Sequence, residues 1–409
     1  MTMTSDNHMR TFYEYIVVGC GGIGSGALYW LSKRVGPDVL GLEQFQLGHE
    51  RGGSQDYSRI IRMAYPDDMY TKLTPHTYTA WSEVERESGL QLVYRTGGLS
   101  IGEKGVSDHI TSEYARAMAA NNISYENLTG RQLHERYPQF TLNDNLVAVY
   151  QKDGGIVDAA LGNSVHVQLA RGNGATVIDQ CPVTRLSRDA GGRIAVHTTK
   201  GIFHCRKVLL TAGAWMNHVL GSVGVHIPLY VTQEQVTYFG TPHMKDFTKD
   251  RFPMFIYHKA DYDIYGLPIH GNSGSKIGID AVGPVTTADS RTYEPDPVRE
   301  KIVIDFLQTT LPKYLGPIIQ TKTCLYTMTP DRHFVIDTCR KYGWDDVIFC
   351  CGAGHAYKFA SLLGKILSEL AVDNHTQYPI SPFTMEREAI SNPNYKTDFH
   401  MKGNSQSKL

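Results

Sequence analysis

Tyr15-Ile16-Val17-Val18-Gly19-Cys20-Gly21-Gly22-Ile23-Gly24 is the stretch that decides the fold. Four successive apolar residues, three of them β-branched, suit a strand covered on both faces, as in a parallel sheet. They run directly into a G-x-G-x-x-G loop, and a helical stretch over 25–35 follows with Ala27, Leu28, Leu31 and Val35 on one face. Gly36-Pro37 stops that helix, and Val39-Leu40-Gly41-Leu42 forms a second strand ending at Glu43. The loop residues divide the work: Gly19 permits the tight turn, Gly21 lets the backbone approach a pyrophosphate, and Gly24 allows close helix–strand packing. Gly22 and Ile23 complete the loop and are expected at the cofactor, and the amides and partial positive charge of the helix start favour phosphate. Glu43, nineteen residues beyond Gly24, is spaced to accept from ribose hydroxyls. A glycine-rich loop alone is as often a plain βαβ turn. Strand, loop, helix, stop, strand and acid in this order predict a bound ADP-containing dinucleotide. The motif leaves FAD and NAD open; its N-terminal place in a chain of 409 residues, with no second such loop, leans towards FAD.

Further along, Lys207-Val208-Leu209-Leu210 reads as a buried strand meeting the small-residue turn Thr211-Ala212-Gly213-Ala214-Trp215, which can lie close to a nucleotide. Val347-Ile348-Phe349-Cys350-Cys351 leads through Gly352-Ala353-Gly354 into a helix whose apolar face carries Phe359, Leu362, Leu363 and Ile366. The nucleotide domain is therefore built from both ends of the chain. Between them, helices are expected over 70–88, 107–120 and 159–170, with strand signals at 175–178 and at Cys181-Pro182-Val183-Thr184. From 227 to 279 the pattern becomes strand-rich, and 295–311 reads as helix. The expected class is α/β: a Rossmann-type dinucleotide domain (11–90, 150–225 and 324–390) with a second, α+β domain on an antiparallel sheet (91–149 and 226–323). A tail follows over 391–409.

Composition narrows the function classes. Charged residues make up 20%, hydrophobic residues 41%, and the net charge is -1, which excludes a disordered tail and argues against bulk nucleic-acid binding. Apolar runs stay near five to eight residues, short of the roughly 20 that span a bilayer, so no membrane role is expected. Seven cysteines, an odd number, favour a reducing compartment, and the polar residues 1–10 carry no secretory signal. A soluble intracellular protein is expected. No C-x-x-C or H-x-x-x-H spacing occurs, so no metal is expected. The final Ser407-Lys408-Leu409, behind a polar stretch, matches a peroxisomal address read by the import receptor, rather than a random polar tail. That organelle houses oxidases beside catalase, which raises the expectation of a hydrogen peroxide producer.

Residues 13–387 resemble the monomeric sarcosine oxidase family of FAD-dependent amine oxidases. Beside the glycine loop, the resemblance is carried by five segments in order: Ser58-Arg59-Ile60-Ile61-Arg62-Met63-Ala64-Tyr65, Tyr265-Gly266-Leu267-Pro268, Ser275-Lys276-Ile277-Gly278, Cys324-Leu325-Tyr326-Thr327-Met328-Thr329-Pro330-Asp331 and Gly354-His355-Ala356-Tyr357-Lys358-Phe359. It implies the two-domain architecture of D-amino-acid oxidase and oxidation of a secondary amino acid to an imine, with dioxygen reduced to hydrogen peroxide. The imine of sarcosine then hydrolyses to amino acid and formaldehyde. A monomer is the state the family suggests.

The resemblance also implies residue roles. Cys324 matches the cysteine that forms a thioether with the flavin 8α-methyl group, which requires a thiolate. Arg62 and Lys358 match the cations that grip the substrate carboxylate, one a two-pronged donor, the other a point charge. Lys276 matches the lysine that activates oxygen, and Arg59 is expected to balance charge on the reduced ring. Tyr265 and Tyr326 are expected at the substrate or the flavin. Ser58, Val183, Ala212, Gly213, Trp215, Gly354 and His355 are expected to touch the cofactor, as are the amides opening the Lys358 helix. Alone, Cys324 would be read as an inert buried cysteine and each cation as solvated. No general base is assigned. Three departures limit the transfer: Gln55 near a position where many members carry histidine, Asp280 four residues after Lys276, and Ala356 in place of glycine. Sarcosine leads as substrate, with L-pipecolate or a fructosyl amino acid as alternatives; an NAD-linked dehydrogenase and a silent FAD-bound assembly protein are readings from other classes.

Overall fold

The computed structural model describes residues 10–397. The deciding stretch forms the strand Phe12–Val18, which lies parallel between Gly201–Leu210 and Val39–Leu42. Thr176–Ile178 extends the sheet on one side and Trp344–Cys351 on the other, both again parallel. Alternate residues of these strands enter two different cores, as the two-residue period of a pleated strand requires. Val17, Val39, Leu209, Ile348 and Cys350 face the helices Gly22–Val35, Asp68–Ser88 and Ala360–Asp373. Ile16, Leu40, Val208, Leu210 and Val347 face the opposite layer, where Met216, Val219 and the antiparallel pair Val183–Arg188 with Ile194–Thr198 pack. Burial on both sides is why these strands read as unbroken apolar runs.

Local signals place the helix ends. Gly36 follows the first helix at φ 61°. The helix Asp68–Ser88 starts at Asp67, whose carboxylate accepts from the Met69 amide, and stops at Gly89 in the left-handed region.

The second sheet runs in the order Ile318–Met328, Tyr230–Phe239, Ser275–Ile279, Asp263–Leu267, Met254–His258, Gly98–Glu103, Leu146–Gln151, Glu126–Thr129. Its pairs are antiparallel as expected, except that Met254–His258 lies parallel to Gly98–Glu103. The helix Pro297–Thr310 covers it through Val303, Phe306 and Leu307, which pack with Phe255 and Ile277. The boundary expected at 324 falls inside the strand Ile318–Met328, which pairs along nearly all of Tyr230–Phe239. A small antiparallel ribbon of Arg59–Ile61, Gly155–Val157 and Val93–Arg95 completes the molecule. Among the described residues, no helix is long and apolar enough to cross a membrane and no cluster of side chains could hold a metal. Ser407, Lys408 and Leu409 lie outside the described residues.

Candidate active site

A cavity of about 890 Å³ runs from the glycine loop to Lys358. That size lies within the range of about 300–1,000 Å³ common to small-molecule sites. At one end stand Gly19, Gly21, Gly22 and Ile23, with Glu43 beside them. Gly19 has φ +89°, and a Cβ there would meet the Thr211 carbonyl oxygen at 2.8 Å. Only glycine fits such a position. The helix that begins at Gly22 has no acidic residue in its first turn, so its partial positive charge is left for a ligand. Gly24 stands behind the wall: a Cβ would lie 1.8 Å from the Gly19 oxygen, so its smallness serves helix–strand packing. Glu43 Oε2 accepts from the Cys20 amide at 2.8 Å and Oε1 from the Phe45 amide at 3.1 Å, which fixes the carboxylate at the cavity edge. Val183, Ala212, Gly213 and Trp215 line the same end. A backbone-lined cradle, a helix start with no acidic residue in its first turn and a fixed carboxylate fit the ADP portion of a dinucleotide.

Cys324 faces the middle of the cavity from the strand Ile318–Met328. The strand is tied to the loop following Glu43 by Arg291, which donates to the Thr323 carbonyl and hydroxyl at 2.9 and 2.7 Å and to the Arg51 carbonyl at 3.0 Å. Burial pushes the Cys324 thiol up, and the Arg59 guanidinium is the largest influence pulling it back down. Lys276 lies across from it, only 2% exposed. Its Nζ donates to Asp56 Oδ2 and to the Ser58 carbonyl, both at 2.6 Å. Burial lowers the Lys276 ammonium to about 8 against the opposing pull of Asp56. Arg59 stays charged: burial would lower it, but Asp56, 2.6 Å from its Nη1, more than offsets this. Ser58 itself is buried and contributes its carbonyl, not a wall of the cavity.

Arg62 and Lys358 meet at the far end. Arg62 Nη1 donates to the Tyr114 hydroxyl at 2.9 Å, and the guanidinium sits 4.5 Å from the centre of the Tyr65 ring. Its Nε is buried with no hydrogen-bond partner among the described residues, and the residue lines the cavity. Lys358 Nζ donates to the His355 carbonyl at 2.8 Å, and burial, reinforced by Arg62, holds its ammonium well below the usual lysine range. His355 Nε2 lies 3.1 Å from the Arg332 carbonyl, which can only accept, so Nδ1 is the acceptor for the Tyr65 hydroxyl at 3.2 Å. Burial keeps that imidazole neutral. Asp280 also faces this space and accepts from Arg332 Nη1 at 3.0 Å. Burial raises its carboxyl, but Arg332, Arg62 and Lys358 together hold it below the ordinary range. Tyr265 and Tyr326 line the wall between, and Gly354, at φ +82°, lets the chain pass under the Tyr326 ring, 2.6 Å from where a Cβ would be.

Every residue singled out from sequence therefore lines this one cavity except Gly24 and Ser58, which stand directly behind it. Asp56, Tyr114, Tyr238 and Arg332 belong to the same constellation, and the sequence reading passed over all four. None has a spacing signature. Asp56 meets Tyr238 and Lys276 across 182 and 220 residues of chain.

The chain matches the family model DAO, FAD dependent oxidoreductase, over residues 14–370. It is 31% identical over 388 residues to monomeric sarcosine oxidase from Bacillus sp. (strain NS-129), covering 93% of this chain and 98% of the relative. It is 33% identical over 387 residues to peroxisomal sarcosine oxidase from Mus musculus, covering 92% and 96%. The solved structure of NikD, an unusual amino acid oxidase essential for nikkomycin biosynthesis, superposes with a TM-score of 0.81 at 26% identity, covering 91% of this chain and 97% of that one. The cofactor that the glycine loop leaves open is thereby FAD. With the dinucleotide cradle, the fold and nearly the whole length of the chain in agreement, the protein belongs to the DAO family of FAD dependent oxidoreductases and stands with the sarcosine oxidases.

Proposed function

We propose that the protein is a peroxisomal oxidase that converts a secondary amino acid, with sarcosine the leading candidate, to its imine. The observation that carries this reading is the meeting of Arg62 and Lys358 at the closed end of the cavity, with Lys276 and Cys324 between them and the glycine loop. In this reading the parallel sheet is the FAD-binding unit and the mixed sheet the substrate unit. Bound FAD would supply the two-electron chemistry that links amine oxidation to dioxygen. In the balance, one C–H and one N–H of the amine are lost as C=N forms, and dioxygen gains two electrons and two protons to give hydrogen peroxide. Water then cleaves the sarcosine imine to glycine and formaldehyde.

The protein's own groups supply position and charge. Arg62 presents donors to the α-carboxylate, and Lys358 adds a second positive charge beside it. Held by its acid group, the amine is brought to the reacting face, and proximity provides much of the rate. Tyr65, Tyr114, Tyr265 and Tyr326 wall the space and exclude water. Lys276 places a cation where negative charge develops as oxygen is reduced. Arg59 offsets negative charge in the reduced state. Cys324, which faces the same cavity, would hold the cofactor by a covalent sulfur link.

Peroxide release from a panel of sarcosine, N-methylalanine, L-pipecolate, L-proline and fructosyl-valine tests the reading: sarcosine is expected to lead, and silence across the panel would refute it. The protein works as a monomer in this account, so a single species near 45.7 kDa is expected in sedimentation. Removing Ser407-Lys408-Leu409 from a fluorescent fusion is expected to release it from peroxisomes to the cytosol.

A further inference from the structure

We infer that Asp56 is the positioning residue of the oxygen-reacting lysine: it pins the Lys276 ammonium beside Arg59 and keeps it charged, and so sets the speed of the oxidative half-reaction. The inference rests on the role given to Lys276 above. Asp56 is 3% exposed and does not touch the cavity, yet it is bonded to two cations that do. Its Oδ2 accepts from Lys276 Nζ and from Arg59 Nη1, each at 2.6 Å. Its Oδ1 accepts from the Tyr238 hydroxyl at 2.6 Å and from the Tyr57 amide at 2.8 Å. Both oxygens thus carry two donors, and the carboxylate cannot turn without breaking a buried bond.

The site's charge balance gives this geometry its consequence. One carboxylate oxygen stands between two buried cations. The other titratable groups facing Lys276 and Asp56 are Cys324, Tyr238 and Tyr265, and burial keeps all three neutral by raising them. Removing the single negative charge would leave Lys276 and Arg59 side by side, unscreened. A guanidinium does not give up its proton in a protein, whereas a buried ammonium does. The lysine would become the neutral partner, and a neutral amine offers little to the charge that appears on dioxygen. The Lys276 ammonium is already lowered to about 8 with Asp56 in place, so losing that counter-charge lowers it further. Lys276 also loses its anchor, leaving the Ser58 carbonyl as its remaining bond.

The test is Asp56→Asn in the holoenzyme, with reduction and reoxidation measured separately by stopped flow. At pH 7.5, reoxidation by dioxygen is expected to fall about threefold or more, the effect of moving an ionisation at about 8 down by at least a unit, while anaerobic reduction by sarcosine changes far less. The pH midpoint of reoxidation moves to lower pH, and lowering the pH restores the rate. In a Lys276→Met background the same change has no further effect on oxygen. Asp56→Glu, which restores the charge, returns the midpoint towards that of the native enzyme. A fast Asn variant beside a slow Lys276→Met overturns the inference. A fast Lys276→Met instead overturns the lysine reading beneath it. Should the Asn variant fail to hold flavin, Asp56→Glu decides alone: a midpoint displaced to lower pH by a unit or more refutes the proposal, and a retained midpoint supports it.

Discussion

Replacing Arg62 by glutamine removes the charged fork from the closed end of the cavity while keeping a side chain of similar reach. In the structure the Arg62 guanidinium lines the cavity, with Nη1 already shared with Tyr114. Two charge-assisted hydrogen bonds at about 1.5–3 kcal/mol each set a gross loss of about 3–6 kcal/mol. Lys358 stays in place and retains part of the attraction, so the lower figure applies. About 3 kcal/mol corresponds to roughly a 100-fold fall in kcat/KM. The assay compares sarcosine with dimethylamine, a secondary amine that lacks the acid group. Sarcosine turnover is expected to fall about 100-fold, mainly through KM, while the slow oxidation of dimethylamine hardly changes. An unchanged kcat/KM for sarcosine, or an equal loss for both amines, would remove Arg62 from carboxylate binding.

Three further outcomes are expected. Cys324→Ser should still bind FAD, but acid precipitation should leave the yellow colour in the supernatant, whereas the native protein's pellet should stay coloured; colour lost from both would refute the thioether. Gly19→Ala forces a side chain into φ +89° with its Cβ 2.8 Å from the Thr211 oxygen, so the purified protein should be colourless or sharply depleted in flavin; full occupancy would contradict the cradle. Lys358 is held well below the lysine range by burial and by Arg62, and a carboxylate seated between the two cations raises it. Binding of a carboxylate inhibitor should therefore take up protons over the pH range in which Lys358 titrates, seen as a buffer-dependent heat in calorimetry across a pH series and abolished in Lys358→Met; a heat independent of buffer at every pH would refute it.

What the sequence discloses follows from how local each constraint is. The glycine loop is legible because a positive φ at Gly19 and a 1.8 Å clearance at Gly24 must be met residue by residue. The buried parallel strands are legible because both faces demand apolar residues. The strand Ile318–Met328 hides for the opposite reason. Tyr326 faces the cavity, while Thr323 accepts from Arg291 and Thr321 donates to Glu300, so polar residues stand where a core strand would show aliphatic ones. Gly98–Glu103 is similarly obscured, since its glycines break the β pattern. Arg62 and Lys358 come together across 296 residues of chain, and no periodicity announces that; family resemblance is what singles them out. Asp56 is less legible still, a single acid in a polar loop whose importance lies in partners drawn from two distant strands.

The most direct test is a single turnover. Sarcosine is mixed with the purified protein without oxygen, the visible flavin absorbance is followed, and oxygen is then admitted. The account predicts bleaching by sarcosine, recovery on contact with oxygen and one hydrogen peroxide released per flavin. Absorbance that no amine in the panel bleaches, or a bleached flavin that oxygen leaves unchanged, would contradict it.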